Sequence, residues 1–447
     1  MKTKIQCKNK DYDVDILVCG GGTSGIAAAW GAAKCGCSVI LVEENDFIGG
    51  TPVYSLVNVM AYGAHDKQKW IIGGFFKEFR RRMMEAGFMI ENQRKGWEPF
   101  NIEGYKQIAY LMLEEVGVKI LCGNKIINVS KKNNEINSVE CISNNGRKTF
   151  RSKTYIDTTG NGVVGVMAEC KYFYGHPDTG IPQAYSLYYQ LSNVDIQKTG
   201  KYLRSIGKSG FWKNDDGMEY LNLTGLEEQV DIARKRGDIK KILRDHVANV
   251  SSVPGLDGVV SVNYGRIIPK TEDICGMYIE GIAQINEGLL FFKKYIPGFE
   301  NAQIIRIAPR IGIRDGIRLK GKYVYTKRDV INIRQFDDVI AQGCYMIDIH
   351  LPHSDKTKYW KLEKGTHYDI PIGTIICDGV SNLFMAGKCI SADFESIGAI
   401  RVQPIAMATG HAAGVAAAVS VLTDKKSDEI EYKIVREYLI SQGAILD

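Results

Sequence analysis

The sequence predicts an α/β fold: a parallel sheet flanked by helices and interrupted by a mixed α+β region. Three observations carry this reading. An apolar run ending at Cys19 meets Gly20-Gly21-Gly22-Thr23-Ser24-Gly25, and an alanine-rich stretch then leads to a second apolar run, Ser38–Val42. Two later apolar runs, ending at Asp157 and Ala386, also stop at glycines. Between those two, residues 171–350 change texture, with mixed periodicities and the aromatics Tyr172, Phe173, Tyr174, Tyr185, Tyr188, Tyr189, Phe211 and Trp212.

Composition removes other classes. The chain has 447 residues, 45% hydrophobic and 24% charged, which is the balance of a globular protein. No apolar run approaches 18 residues, so no membrane span or membrane partner is expected. The net charge of +6 is scattered, which argues against nucleic acid as a partner. The N-terminal MKTKIQCKNKDYDVD lacks the apolar centre of a secretory signal, so a cytoplasmic location is expected. The 11 cysteines include no CxxC pair and the 7 histidines no HExxH, so reduced, packed thiols and no metal site are expected.

The elements follow in order. Val14–Cys19 reads as a buried parallel strand, Thr23–Lys34 as a helix and Ser38–Val42 as the next strand, together a βαβ unit. Thr51–Asp66 has no clean period and reads as a loop with a short helix. Phe75–Glu85 and Gly104–Glu115 are amphipathic helices. Lys119–Leu121, Lys125–Ser130, Ile136–Ser143 and Lys148–Phe150 read as strands, with turns at Asn133–Asn134 and Asn144–Gly146, and Lys153–Asp157 returns to the parallel sheet. Val230–Val247 and Gly281–Tyr295 are predicted helices, Asn382–Ala386 a final buried strand and Gln403–Val421 a long helix. The expected units are a cofactor domain in two parts, 1–170 (with a β-hairpin insertion) and 351–447, and a substrate or cap domain, 171–350.

Gly20, Gly22 and Gly25 occupy the three glycine positions of G-x-G-x-x-G, placed after a strand and at the start of a helix. Gly20 permits the tight turn, Gly22 removes a side chain where a pyrophosphate must approach, and Gly25 lets helix and sheet pack closely. The N–H groups of Thr23 and Ser24, at the positive end of the helix, then face the phosphates. Glu43, 18 residues beyond Gly25, suits an adenosine ribose, although an exposed Glu beside Glu44 is the plainer alternative. Gly49-Gly50-Thr51, the Asp157–Gly162 turn with Gly160, and the Ala386-Gly387-Lys388-Cys389 turn mark further approaches along one long dinucleotide.

At these motifs the chain resembles the bacterial FAD-dependent oxidoreductases of the glutathione-reductase-like flavoprotein superfamily, the type with two dinucleotide-binding domains. The matching segments are Asp15–Gly50, Pro309–Val330, Tyr345–His350 and Asn382–Val419. The resemblance implies a Rossmann-like FAD-binding domain of glutathione-reductase type, with Gly20, Gly22, Gly25 and Glu43 on the ADP half of FAD. It also implies that Gly387 and Cys389 approach the pyrophosphate and ribityl chain, and that the Gln403–Val421 helix points its N-terminus at the flavin pyrimidine edge.

The residues for chemistry are Arg314, Asp348, His350 and Arg401. In an extended segment Asp348 and His350 share a face, so the carboxylate could orient the imidazole for proton transfer, or the two could form an interface pair. Arg314 could hold a substrate carboxylate or form an interdomain salt bridge, whereas Arg318 reads as structural. Arg401 precedes the long helix and could place positive charge at the flavin edge. The family pattern commonly has histidine where this chain has Phe394. Met60, Tyr62 and His65 are pocket candidates, Asp393 and Glu395 reserve bases, and His411 reads as packed. One glycine motif and no redox thiol pair leave direct hydride exchange at flavin N5 with a small-molecule substrate: dehydrogenation beside a hydroxyl or amine, or reduction of an activated C=C bond. The second partner is an electron-transfer protein or free electron acceptor, and homo-oligomer formation stays open. The alternatives are a flavin-containing RNA-modifying or structural assembly component and an NAD-dependent dehydrogenase.

Overall fold

A computed structural model describes residues 10–61, 63, 69–91, 97–214, 217–270 and 272–447. The main sheet has seven strands. Five run parallel, in the spatial order Lys119–Leu121, Val39–Val42, Lys10–Cys19, Gly146–Asp157 and Leu383–Met385. Val39–Val42 is buried along its whole length, as a strand covered on both faces must be.

Gly146–Asp157 joins two parts of this sheet. Its first half pairs antiparallel with Glu135–Ser143, which pairs in turn with Lys125–Lys132. Its second half pairs parallel with Leu383–Met385. The separate strands expected at Lys148–Phe150 and Lys153–Asp157 are therefore one strand. The cause lies in its partner: the first strand begins at Lys10, so an unbroken parallel ladder from Lys10–Lys148 to Cys19–Asp157 holds Gly146–Asp157 extended.

The helices Thr23–Lys34 and Gln403–Thr423 cross on the main sheet with their backbones nearly touching. A Cβ on Gly410 would lie 2.2 Å from the Ser24 carbonyl oxygen, and one on Gly414 would lie 2.0 Å from that of Ala28. The stripe of small residues is thus a packing surface. By length and composition Gln403–Thr423 could cross a bilayer, yet 83% of its most apolar window is buried inside this fold.

A second sheet takes all six strands from residues 189–307. They run antiparallel in the order Phe211–Lys213, Glu219–Gly225, Val247–Ser252, Val260–Asn263, Tyr189–Ser192 and Gln303–Ile307. Ile274–Tyr295 is the longest helix beside it, capped by Asp273, and it starts earlier than the expected Gly281. The helix expected over Val230–Val247 is instead Glu227–Lys235, and Val247 begins a strand. Gly237, at φ +76°, takes the left-handed turn that ends it. The next residues are held by distant charge: the Glu287 carboxylate accepts from the N–H groups of Lys240, Lys241 and Ile242.

Two small ladders lie between the sheets. Tyr172–Tyr174 pairs with Ile317–Leu319, and Ile347–His350 pairs with Thr357–Trp360 across the expected 350/351 division.

Candidate functional site

The three motif glycines do different work. At Gly20 (φ +104°) a Cβ would lie 2.6 Å from the Thr158 carbonyl oxygen, and at Gly25 it would lie 1.8 Å from the Gly20 carbonyl oxygen. The protein's own packing requires both. At Gly22 the nearest atom to a Cβ is Gly50 Cα at 3.8 Å, and φ is an ordinary −77°. Nothing within the chain requires glycine there. The helix that starts at Gly22 has no side-chain cap and no acidic residue in its first turn, although Ser24 and Gly25 are buried. Unpartnered N–H groups at a buried helix start call for an external acceptor.

Neighbouring turns hold this cradle. Gly49 donates to the Gly21 carbonyl at 2.8 Å, and Gly50 (φ +57°) lies so close to Gly22 that its Cβ would be 2.7 Å from Gly22 Cα. Thr51 is exposed beside them. Thr158 Oγ1 donates to Gly20 O at 2.8 Å, and the wholly buried Asp157 accepts from Thr159 and from the Gly165 N–H. Gly160 (φ +74°) and Gly387 (φ +71°) complete the ring, with Gly387 against Ser24. Asp157 and Thr158 are thus the props of the turn, and their place just after a strand is the sequence signal for that role.

Two cofactor residues need correction. Glu43 is buried rather than a free strand-end carboxylate: it accepts from Gly21 N at 2.6 Å, from Asn45 N at 2.9 Å and from Asn45 Nδ2. Burial pushes its pKa up against those donors. Three of about four lone-pair sites are engaged, which leaves room for one more hydroxyl donor. Cys389 is fully buried, and its thiol donates to the Asp157 and Ala386 carbonyls at 3.3 and 3.4 Å. Its side chain braces the turn, so only its backbone remains for a ligand.

The four residues expected to do chemistry are brought together. His350 Nε2 lies 2.9 Å from Asp348 Oδ1, and Tyr345 also donates to the carboxylate at 3.2 Å. Arg401 donates to Gln183 Oε1, to the Arg314 carbonyl and to the Asp348 carbonyl. Arg314 donates to Ala184 O and Ser186 Oγ. Burial, together with the charge of Arg314, holds the His350 pKa well below its usual value. Burial alone would raise Asp348, but His350, Arg401 and Arg314 hold it below the usual carboxylate range. The pair thus carries one negative charge on Asp348, and a neutral His350 donates to it from Nε2.

His350 Nδ1 is also engaged, by Arg244 Nη2 at 3.4 Å and Thr357 Oγ1 at 3.2 Å. With both ring nitrogens held and the residue 7% exposed, His350 orients Asp348. Arg244 is the main residue sequence reasoning missed. It is fully buried in the charged stretch KKILRDH, expected as the end of a helix, with Leu243 turned outward beside it.

Other expectations resolve simply. Arg318 is 2% exposed and donates to the Ala392, Gly316 and Gly175 carbonyls, a structural role. His411 is packed, 5.4 Å from the Trp30 ring centroid, with Nε2 2.8 Å from Gln442 Oε1. Asp393 caps a turn, accepting from Lys327 N and Ser396 N. Phe394 is buried edge-on to His176, with centroids 5.0 Å apart. Met60 is buried in the main core, while Tyr62 and His65 lie outside the described residues. Lys388 runs past Gly160 to the Ile313 carbonyl, 3.2 Å away, and joins the glycine turns to the arginines; burial lowers its pKa to about 8.

The chain is similar in structure to a geranylgeranyl bacteriochlorophyll reductase-like protein from Thermoplasma acidophilum, with 13% identity, a TM-score of 0.50 and coverage of 96% of this chain and 83% of that one. That likeness speaks to the fold alone. The p-nitrophenol 4-monooxygenase PnpA from Pseudomonas putida DLL-E4 matches at 10% identity and TM-score 0.45, over 97% of this chain and 85% of its own. A flavoprotein/dehydrogenase from Cytophaga hutchinsonii matches at 13% and 0.47, over 96% and 83%. No curated protein matches the chain. The sequence model described as "FAD dependent oxidoreductase" matches residues 15–439, nearly the whole chain, and the protein therefore belongs to the FAD-dependent oxidoreductase family.

Proposed function

We propose that the protein binds FAD in the glycine cradle and exchanges a hydride with a small organic substrate held among Arg314, Arg401 and Asp348. The observation that carries this is Gly22, the motif glycine whose missing side chain faces open space beside uncapped N–H groups. The chain's residues fit the cofactor: Thr23 and Ser24 N–H groups for the pyrophosphate, the remaining acceptor site on Glu43 for a ribose hydroxyl, and the uncapped start of Gln403–Thr423 for the isoalloxazine edge. The Gln403 side chain supports the last assignment. Its Nε2 donates to Val57 O and Val59 O, and its Oε1 is buried without a partner.

FAD supplies a two-electron acceptor or donor at N5. The protein supplies the remainder. Positive charge from Arg401 and from the helix N-terminus stabilises negative charge at the flavin edge. Asp348, the ionised member of its pair, accepts or returns the substrate proton, and His350 fixes its carboxylate as a positioning residue. Arg314 orients the substrate. Burial keeps water from competing for these contacts.

The test is to purify the protein, release its cofactor by heat and identify it by chromatography. FAD is expected; FMN or no flavin overturns the reading. A metabolite screen for bleaching or recovery of flavin absorbance then identifies the substrate and the direction of reaction.

A further inference from the structure

Four guanidiniums converge beside His350 and Asp348, with Asp315 facing Arg401 and Asp245 facing Arg266 at the edges. Arg314 is flanked by Arg244 and Arg401, and Arg244 by Arg266, with Asp348 close to all four. Their hydrogen-bond acceptors are otherwise uncharged. Arg314 donates to Ala184 O and Ser186 Oγ, and Arg401 to Gln183 and two carbonyls. Arg266 donates to the Leu351, Ser354 and Lys356 carbonyls and to Thr357 Oγ1. Arg244, fully buried, gives Nε to Gly265 O and Nη2 to His350, and its Nη1 has no partner.

This excess is physically demanding. Burying one uncompensated guanidinium costs several kcal/mol, and natural sites retain such groups where a counter-charge arrives. The inner pair, Arg314 and Arg244, shares Asp348 as its carboxylate, so two guanidiniums face one negative charge, and the buried Arg244 Nη1 has no hydrogen bond among the described residues. Arg314 is the partly exposed member of the inner pair, and Arg244 stands behind it. Tyr188 lies beside both; its hydroxyl accepts from Asn263 Nδ2 at 3.0 Å, which leaves its own proton to donate.

Resting on the reading above, we infer that the substrate is an organic acid whose carboxylate is received by Arg314 and Tyr188, with Arg244 as the buried charge that selects for it. The planar guanidinium fork matches a carboxylate in two bonds. An acid bound there lies beside Asp348 and Arg401. Arg244 is a specificity residue with no sequence motif to mark it.

The test uses the flavin-loaded protein and the apoprotein, titrated with acetate, succinate and benzoate, with the matching amides, and with inorganic phosphate. Binding is read by calorimetry and by the rise in Tm, and in the holoprotein also by perturbation of the flavin spectrum. The carboxylates are expected to bind and the amides to bind at least tenfold more weakly. Arg244→Met should weaken carboxylate binding about 10- to 100-fold with flavin content unchanged. Equal binding of acid and amide, preference for phosphate, or undiminished binding by Arg244→Met would overturn the inference. Should Arg244→Met fail to fold, the acid-versus-amide comparison on the unmodified protein decides alone. A flavoprotein indifferent to carboxylates sinks this inference and spares the proposed function; a flavin-free protein that binds carboxylates does the reverse.

Discussion

The glycine cradle and the arginine cluster are joined through Lys388 but are built on opposite principles. The cradle is made of absent side chains: Gly20, Gly22, Gly25, Gly50 and Gly387 let backbone meet backbone, and recognition falls to main-chain N–H groups. The cluster is made of polar side chains, mostly arginines, brought in from residues 183, 244, 266, 314, 348 and 401, the first three buried and the last three partly so. One region therefore fails when an atom is added. The other fails when a charge or a fork is removed. A pyrophosphate is common to every turnover and suits a rigid backbone surface, whereas a substrate must be told from its analogues, which side-chain chemistry does better.

That contrast can be broken by experiment. The largest expected effect is Gly25→Ala. In an exposed helix this change would gain about 1 kcal/mol, but here the Cβ would lie 1.8 Å from Gly20 O. A loss of about 3 kcal/mol or more in urea denaturation is expected. Asp348→Asn should slow flavin reduction by about 10²–10⁴-fold with FAD still bound. His350→Gln, acting through that carboxylate, should show a smaller loss and a shifted pH–rate profile in stopped-flow; full activity across pH would make the pair structural. Gly22→Val should leave the apoprotein's Tm within a few degrees of its original value yet prevent retention of FAD, because its Cβ meets no protein atom closer than 3.8 Å. A mutant that keeps full flavin would show that the cradle is not the phosphate site.

A separate effect concerns pH. Burial depresses the His411 pKa from 6.5 to about 4. Between those values the unfolded chain binds the proton and the folded chain resists it, so this stability is present above pH 6.5 and is lost as pH falls toward 4. The loss is about 3 kcal/mol at pH 4. His350, also depressed by burial, adds in the same direction. His411→Asn should flatten the acid limb of a Tm-versus-pH curve by its share, and an unchanged limb would place the titration elsewhere.

The same contrast explains what could be read from the sequence. Thr23–Lys34 is the helix expected to the residue, because strand, turn and helix follow one another within 25 positions and each leaves a local signature. The Asp348–His350 contact was foreseeable from the period of a strand. Arg244 was not. The sequence places it inside a helix, Val230–Val247, whereas the segment is fixed by Glu287 and by Arg234, which donates to the Ile242, Leu243 and Arg244 carbonyls. Charges arriving from other elements set which side chain turns inward, and no local pattern records them. At Glu43 the sequence marks a carboxylate at a strand end, but no local pattern records its own turn engaging that carboxylate.

The crossing of Thr23–Lys34 and Gln403–Thr423 bears on how the protein is made. The first helix leaves the ribosome about 370 residues before the second begins, and the Gly146–Asp157 edge about 225 residues before Leu383–Met385. At roughly 5–20 residues per second, the nascent chain carries an unfinished nucleotide site for roughly 20–70 s. During that interval Ala28 lacks the helix that packs against it in the finished fold. The last tenth of the chain to be synthesised is thus what closes the site whose motif stands at the beginning.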